Sequence, residues 1–258
     1  MYYATAFGLF SVLCIVLAFR RHPIWGLYLY LATTFVYPPG RWWGYVYGNI
    51  RWALLAAVVT ALAVVLHRGK LQPKPLWVTT PPAVILGLYA LWLWVQSVWA
   101  LLLPDHLDGS IKFVKYLLAF WFVYRVVDTP QRVADFLLAH VLGCTLLGLY
   151  AQFEGRVGGR LDGVGGPGID DANTLGMYLV TGAIAAVGLF LSQSGWRRWL
   201  CLICMPWIGN GFVLANSRGA LLGLIAGGLV LAFCTAKRHR AVFWSFALAG
   251  LLGLGAIV

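Results

Sequence analysis

Charge is what this sequence has least of. Of its 258 residues, 19 are Lys or Arg and 8 are Asp or Glu, so charged side chains reach 10%, against about 25% in a soluble globular domain. With 61% of the chain drawn from AVILMFWYC, no water-facing surface can be assembled, which excludes an ordinary soluble enzyme and a disordered chain. Cysteine offers no framework either. The five are Cys14, Cys144, Cys201, Cys204 and Cys234, an odd number spread over apolar runs, which excludes a secreted disulfide scaffold. Cys201 and Cys204 have the spacing of a redox or zinc pair, yet no polar residue accompanies them, and packing is the expected role. Also missing are any HExxH, GxSxG or Walker sequence and any repeat of 20–50 residues.

What is present is a succession of apolar runs, at 2–19, 24–37, 52–66, 82–103, 111–124, 136–151, 174–191, 199–214, 219–236 and 241–258. A spanning helix consumes about 20 residues. The pattern therefore predicts an all-α, polytopic integral membrane protein of about ten transmembrane helices, forming a single helical domain over 1–258 with no separate soluble domain. Arg20-Arg21-His22-Pro23 follows the first run where a cleaved leader would carry small residues, so that run reads as a retained span. The chain stops inside its tenth run, and we expect it to be the N-terminal part of a longer protein.

The net charge of +11 would suggest nucleic acid in a soluble chain. Here the basic residues lie in short clusters between apolar runs, the signature of loop charges that orient spans, and no nucleic-acid partner is expected. Placing Arg20 and Arg21 in the cytoplasm puts 12 of the 19 basic residues inside and the N-terminus outside. Six of the 8 acids then fall outside, leaving only Asp128 and Asp135 within. Arg41-Trp42-Trp43-Gly44-Tyr45 and Trp196-Arg197-Arg198-Trp199 read as interface anchors, and Lys112 with Lys115 as a further anchoring pair at the outer start of the fifth span. His140 reads as a packed core residue, and Gln96, Ser97 and Asn210 as groups that hydrogen-bond between helices. Gly219, Gly223 and Gly227 repeat at steps of four, which would let a neighbouring helix approach closely.

Chemistry concentrates in the external connection 152–173, which packs two arginines (Arg156 and Arg160), four carboxylates and seven glycines into 22 residues. Glycine lets backbone turn tightly beside a ligand, and guanidinium offers a planar fork for phosphate oxygens. A solvated flexible loop is the other reading of the same composition. The Gly163, Gly165, Gly166 and Gly168 run follows no strand, so it is not a nucleotide-binding turn. Asp171 or Asn173 would cap the next helix, while the adjacent Asp170 and Asp171 could instead hold a divalent cation. Arg218 opens the ninth run beside Asn216 and Ser217, close to hydrocarbon, where a cation is costly without a polar partner.

Two of these stretches resemble the O-antigen ligase and polymerase family of bacterial envelope proteins, including the O-glycosylation ligases associated with exosortase systems. Arg160-Leu161-Asp162-Gly163, followed by Gly-Pro-Gly-Ile-Asp-Asp-Ala-Asn-Thr-Leu-Gly, is similar to the family's Arg-x-x-Gly and Asn-x-x-(Ala/Gly) motifs. Ser217-Arg218-Gly219 is similar to its Ser-Arg-Gly signature. The resemblance implies an inner-membrane glycosyltransferase whose active face is periplasmic. Its donor would be a glycan on undecaprenyl diphosphate, its acceptor a lipid A-core, another lipid-linked glycan or a protein hydroxyl. No cofactor is implied, since diphosphate is already a good leaving group. Arg160 and Arg218 would bind the diphosphate, Asp171 and Asn173 would shape the site, and Arg156 is a weaker candidate for it. The family carries an acceptor-side histidine in a later periplasmic loop. That general base has no counterpart in this sequence, leaving a fragment or a different base such as Asp162 or Asp170. A transporter or flippase for a lipid-linked or anionic substrate is the alternative from another class, and a metal-dependent sugar transferase using Asp170 and Asp171 is the alternative enzyme.

Overall fold

The computed structural model describes residues 2–154, 161, 163–166, 168–169 and 171–235, with single positions at 241, 244, 245 and 248. Among the described residues every regular element is helical. In chain order the α-helices are α1 (Tyr2–Arg20), α2 (Ile24–Val36), α3 (Trp52–Leu66), α4 (Pro81–Gln96), α5 (Leu103–Val126), α6 (Pro130–Glu154), α7 (Ala172–Ser192), α8 (Trp196–Ala215) and α9 (Arg218–Cys234), with short 3-10 turns at Pro38–Gly40, Gly44–Tyr47 and Trp77–Thr79. Four of them, α1, α6, α7 and α8, are long and apolar enough to cross a membrane, and α3, α4 and α9 are shorter apolar helices. The protein is thus all-helical in its described residues and compatible with a membrane protein, with fewer full-length spans than the apolar runs suggest. At 13 residues α2 is only about 20 Å long, and α5 carries Asp105, Asp108, Lys112 and Lys115. The tenth expected span, 241–258, lies outside the described residues apart from single positions.

Local chemistry sets the helix ends. The hairpin into α2 turns at His22-Pro23, where His22 Nδ1 accepts the Ile24 N–H at 3.2 Å. α2 stops at Tyr37, which adopts a left-handed φ of 44° and precedes Pro38 and Pro39, neither of which has an N–H to continue the ladder. The expected break between the fourth and fifth runs is displaced. Residues 104–110, polar enough to read as a loop, wind into the first turns of α5 because Pro104 is tolerated there and Lys112 bridges Asp108 at 2.7 Å one turn on.

The core lies among α6, α7 and α8, where Val141, Cys144, Leu147, Leu179, Cys201, Cys204 and Ile208 are buried. Both Cys201 and Cys204 serve as small apolar packing groups here. α6 and α8 approach backbone to backbone: a Cβ on Gly211 would stand 2.8 Å from Gly148 Cα, and one on Gly148 would strike the Trp207 carbonyl. The expected glycine stripe of α9 does less. Gly223 and Gly227 face Val180 and Ile184 of α7, so side chains rather than backbone fill that seam. Asn210 Nδ2 donates to Gln152 Oε1 at 2.6 Å, an interhelical bond between α8 and α6.

Hydrogen bonds show which connections share an end. At one end Lys74 Nζ donates to the Tyr124 and Val127 carbonyls at 2.5 and 2.8 Å, capping the C-terminus of α5. Arg132 pairs with Asp128 there, and Arg197 with Asp135 at 2.6 Å. At the opposite end Tyr47 Oη donates to the Ala4 carbonyl, Arg41 reaches Val164, and Asn173 meets Ser217. We call these the basic end and the loop end.

Candidate functional site at the loop end

Two helices begin side by side at the loop end, and a continuous set of hydrogen bonds ties their first turns together. Asp171 caps α7: its Oδ1 accepts the Asn173 and Thr174 N–H groups at 2.8 and 3.0 Å, and its Oδ2 accepts from Thr174 Oγ1 at 2.6 Å. Ser217 caps α9 by accepting the Ala220 N–H at 3.2 Å, and the same hydroxyl donates to Asn173 Oδ1 at 3.0 Å. Gly176 makes the approach possible, since a Cβ there would lie 2.7 Å from Ala220 Cβ and 3.1 Å from Ser217 Cβ. Arg218, the first residue of α9, stands exposed at this corner. Both helices therefore direct the positive ends of their dipoles at one place, with a guanidinium beside them, while Asp171 takes up the first amides of α7.

The apolar residues described in the glycine-rich connection are packed, while Gly163 is exposed. Leu161, Val164 and Ile169 are each 1% exposed and belong to the α6–α8 core. Gly165 closes on Ile169 and Gly166 on the Tyr37 ring, where a Cβ would come within 2.5 Å of either neighbour. Arg41 is the fastener. Its Nε donates to the Val36 carbonyl at 2.8 Å, its Nη2 to the Val164 carbonyl at 2.9 Å, and its guanidinium lies 3.5 Å over the Tyr150 ring. Burial lowers the Arg41 pKa from its ordinary value, opposed by Tyr150 and Glu154. An interface anchor was the expectation for Arg41; the structure turns it inward because three acceptors converge on it. Its aromatic neighbours divide: Trp43 is buried with Phe7 and Trp52, while Trp42 and Tyr45 stay exposed as anchors would.

Beneath this loop lies a chamber of about 330 Å³. Its wall is largely apolar, with Ile50, Trp52 and Leu54, and carries the side chains of Tyr30, Thr33, Thr34, Tyr116 and Tyr178 together with Gly168 and Arg51. Successive helical residues are about 100° apart, so Tyr178, facing the chamber, and Gly176, facing α9, lie on opposite sides of α7.

Of the residues singled out in the sequence, Asp171, Asn173 and Arg218 come together at the α7–α9 corner. Arg160 and Arg156 lie outside the described residues, as do Asp162 and Asp170. Lys112 and Lys115 separate: the former pairs with Asp108, and the latter faces a groove with Arg51. His140 accepts or donates at 3.0 Å to Thr181 Oγ1 and stacks edge-on with Phe35, a core role. Arg51 escaped sequence reasoning, although one signal was available: a cation directly before a helix opposes the helix dipole. No known protein family, curated protein or solved structure matches the chain.

Proposed function

We propose that this chain belongs to a multi-pass membrane glycosyltransferase of the glycan-ligase type. In this reading its loop end faces the periplasm of a bacterial inner membrane, the donor is a glycan on undecaprenyl diphosphate, and the acceptor is a lipid, glycan or protein hydroxyl. The observation that carries the proposal is the bond from Ser217 Oγ to Asn173 Oδ1, which joins two stretches 44 residues apart and sets Arg218 beside the N-terminus of α7. Among the described residues Arg218 enters no salt bridge, and the acid at this corner, Asp171, is engaged in capping α7. An anion is the natural complement of such a corner.

The chemistry follows from that complement. An acceptor hydroxyl attacks the anomeric carbon of the donor sugar, the carbon–oxygen bond to diphosphate breaks, and the departing diphosphate takes the electron pair. Arg218, joined by Arg160 and favoured by the positive end of the α9 dipole, stabilises the charge that grows on the leaving group. The hydroxyl proton passes to a general base, for which Asp162 and Asp170 are the candidates in this chain. Asp171 and Asn173 are positioning residues, holding the two helix starts in register. A transport pathway would need a continuous polar path through the bundle, whereas the α6–α8 core buries Val141, Leu147, Leu179 and Ile208 and its polar groups occur as separate pairs, Asn210 with Gln152 and His140 with Thr181.

Arg218→Ala in the full-length protein should lower glycan transfer in cells about 100-fold or more, with membrane abundance unchanged, and Arg218→Lys should recover part of it. Full transfer by Arg218→Ala would remove the corner from the mechanism.

A further inference from the structure

A second cationic feature lies away from the α7–α9 corner. Between α2, α3 and α5 runs a groove of about 500 Å³ whose walls include Leu27, Leu31, Leu54, Ala57, Leu118 and Phe122. Leu54 and Leu118 are 56% and 49% exposed, so the groove opens onto the surface of the bundle. Two cations interrupt this apolar lining, Arg51 just before α3 and Lys115 of α5. Both are exposed, and neither enters a salt bridge among the described residues; Asp108, on the same helix as Lys115, is taken by Lys112. The order of the lining residues fixes where the charges sit. Toward the basic end the groove reaches Thr60 of α3 and Val123 of α5, so both cations lie at its loop end, about 13 Å from the far end at the rise of an α-helix. Thr60 spends its hydroxyl on the Ala56 carbonyl at 2.7 Å, which leaves that far end to its apolar side chains.

Each of these features restricts the occupant. Trp42 and Tyr45, exposed in the connection between α2 and α3, are side chains suited to a membrane interface, and Arg51 follows in the same connection. From that level a depth of about 13 Å covers most of one leaflet, whose hydrocarbon is about 15 Å thick. An α-helix about 10 Å across would displace roughly 1,000 Å³ over the same depth. That is twice the volume of the groove, which therefore suits a chain narrower than a helix. Arg51 and Lys115 call for an anion at interface level, and a planar fork beside a compact ammonium suits phosphate oxygens. We propose that the groove is a binding site for an anionic glycerophospholipid of the surrounding leaflet. One acyl chain lies in the trough against α2, α3 and α5, the phosphate meets Arg51 and Lys115, and the open side lets the second chain stay in the bilayer. A zwitterionic phospholipid fits less well, because its own ammonium group opposes the two cations. Occupancy is measured without transfer, so the site stands or falls apart from the transferase reading.

The test uses the whole chain purified in a neutral detergent and offered equal amounts of dioleoyl phosphatidylglycerol and dioleoyl phosphatidylcholine, with bound lipid counted by native mass spectrometry. The parent should keep phosphatidylglycerol in preference. Its affinity for that lipid should fall about 5-fold in Arg51→Gln and about 5-fold in Lys115→Gln, the attraction of one basic residue for an anionic head group. Leu118→Trp should weaken binding by filling the trough. Lys112→Gln removes a cation of the same helix that is already paired with Asp108, and it should bind as the parent does. Glycerol phosphate and dioleoylglycerol should each displace the lipid poorly, since one lacks the chains and the other the phosphate. Unchanged binding in both charge variants would overturn the site, as would equal retention of the two phospholipids. A matching loss in Lys112→Gln would mark diffuse surface charge and overturn it too. Ready displacement by glycerol phosphate would replace the lipid with a soluble phosphate, and full binding by Leu118→Trp would show that no chain enters the trough; either result ends the proposal. All of these outcomes leave Arg218 and the α7–α9 corner as they stand.

Discussion

The two ends of this bundle use their cations differently. At the basic end both carboxylates are matched, Asp128 with Arg132 and Asp135 with Arg197, and Lys74 sits on the carbonyls that close α5. At the loop end, among the described residues, Arg41 is consumed in this way by two carbonyls and a tyrosine ring, and Lys112 by Asp108. Arg51 and Arg218 instead stand at helix N-termini, where the macrodipole repels a positive charge. A cation satisfied by the fold is structural, and one placed against the local field without a protein partner is arranged for something that arrives later. Arg218→Ala transfer, described above, is the largest effect expected from that distinction.

Arg41 should break the comparison from the stability side if it is wrong. Removing it leaves the Val36 and Val164 carbonyls without their donor and takes the cation from the Tyr150 face. Arg41→Ala should cost about 2 kcal/mol in an equilibrium unfolding measurement, while Arg218→Ala should change stability by no more than about 0.5 kcal/mol. Similar losses for both would mean the loop end is held together by its cations in general.

At the basic end the pair should behave as a pair. Asp135 and Arg197 are partly buried, and Asp135→Asn should cost about 1 kcal/mol after solvent screening. The exchanged double variant, Asp135→Arg with Arg197→Asp, should recover most of that loss, giving a coupling energy in a double-mutant cycle. Additive losses would show that the two side chains act independently despite the 2.6 Å contact.

How much of this was readable in the sequence depends on the range of the interaction. Helix positions followed from apolar runs, because burial acts on every residue of a run and leaves a local record. The Asp171 cap is equally local, spanning three residues. Where a polar stretch was itself helical, as at the start of α5, hydropathy misplaced the boundary. The packing of the glycine-rich connection was hidden for a different reason: Leu161, Val164 and Ile169 are single apolar residues with no period, and the arginine that fastens Val164 is 123 residues away. The groove was invisible altogether, since its lining comes from α2, α3, α5 and α6 and neither cation signals the other. Ser217 and Asn173 drew notice through their motifs, but only the fold places them at 3.0 Å.

The smallest effect is also the one that separates the two kinds of cation most cleanly. In the unliganded protein Arg51 faces the positive end of α3 and has no salt-bridge partner among the described residues, so its charge opposes the helix it precedes. Neutralising it in Arg51→Gln should therefore leave stability unchanged or raise it by about 0.3 kcal/mol. Thermal unfolding of both proteins reads the sign directly. A loss above about 1 kcal/mol in the unliganded variant is more than an exposed surface charge contributes; it would place Arg51 with Arg41 among the structural cations and leave the loop end no different in kind from the basic end.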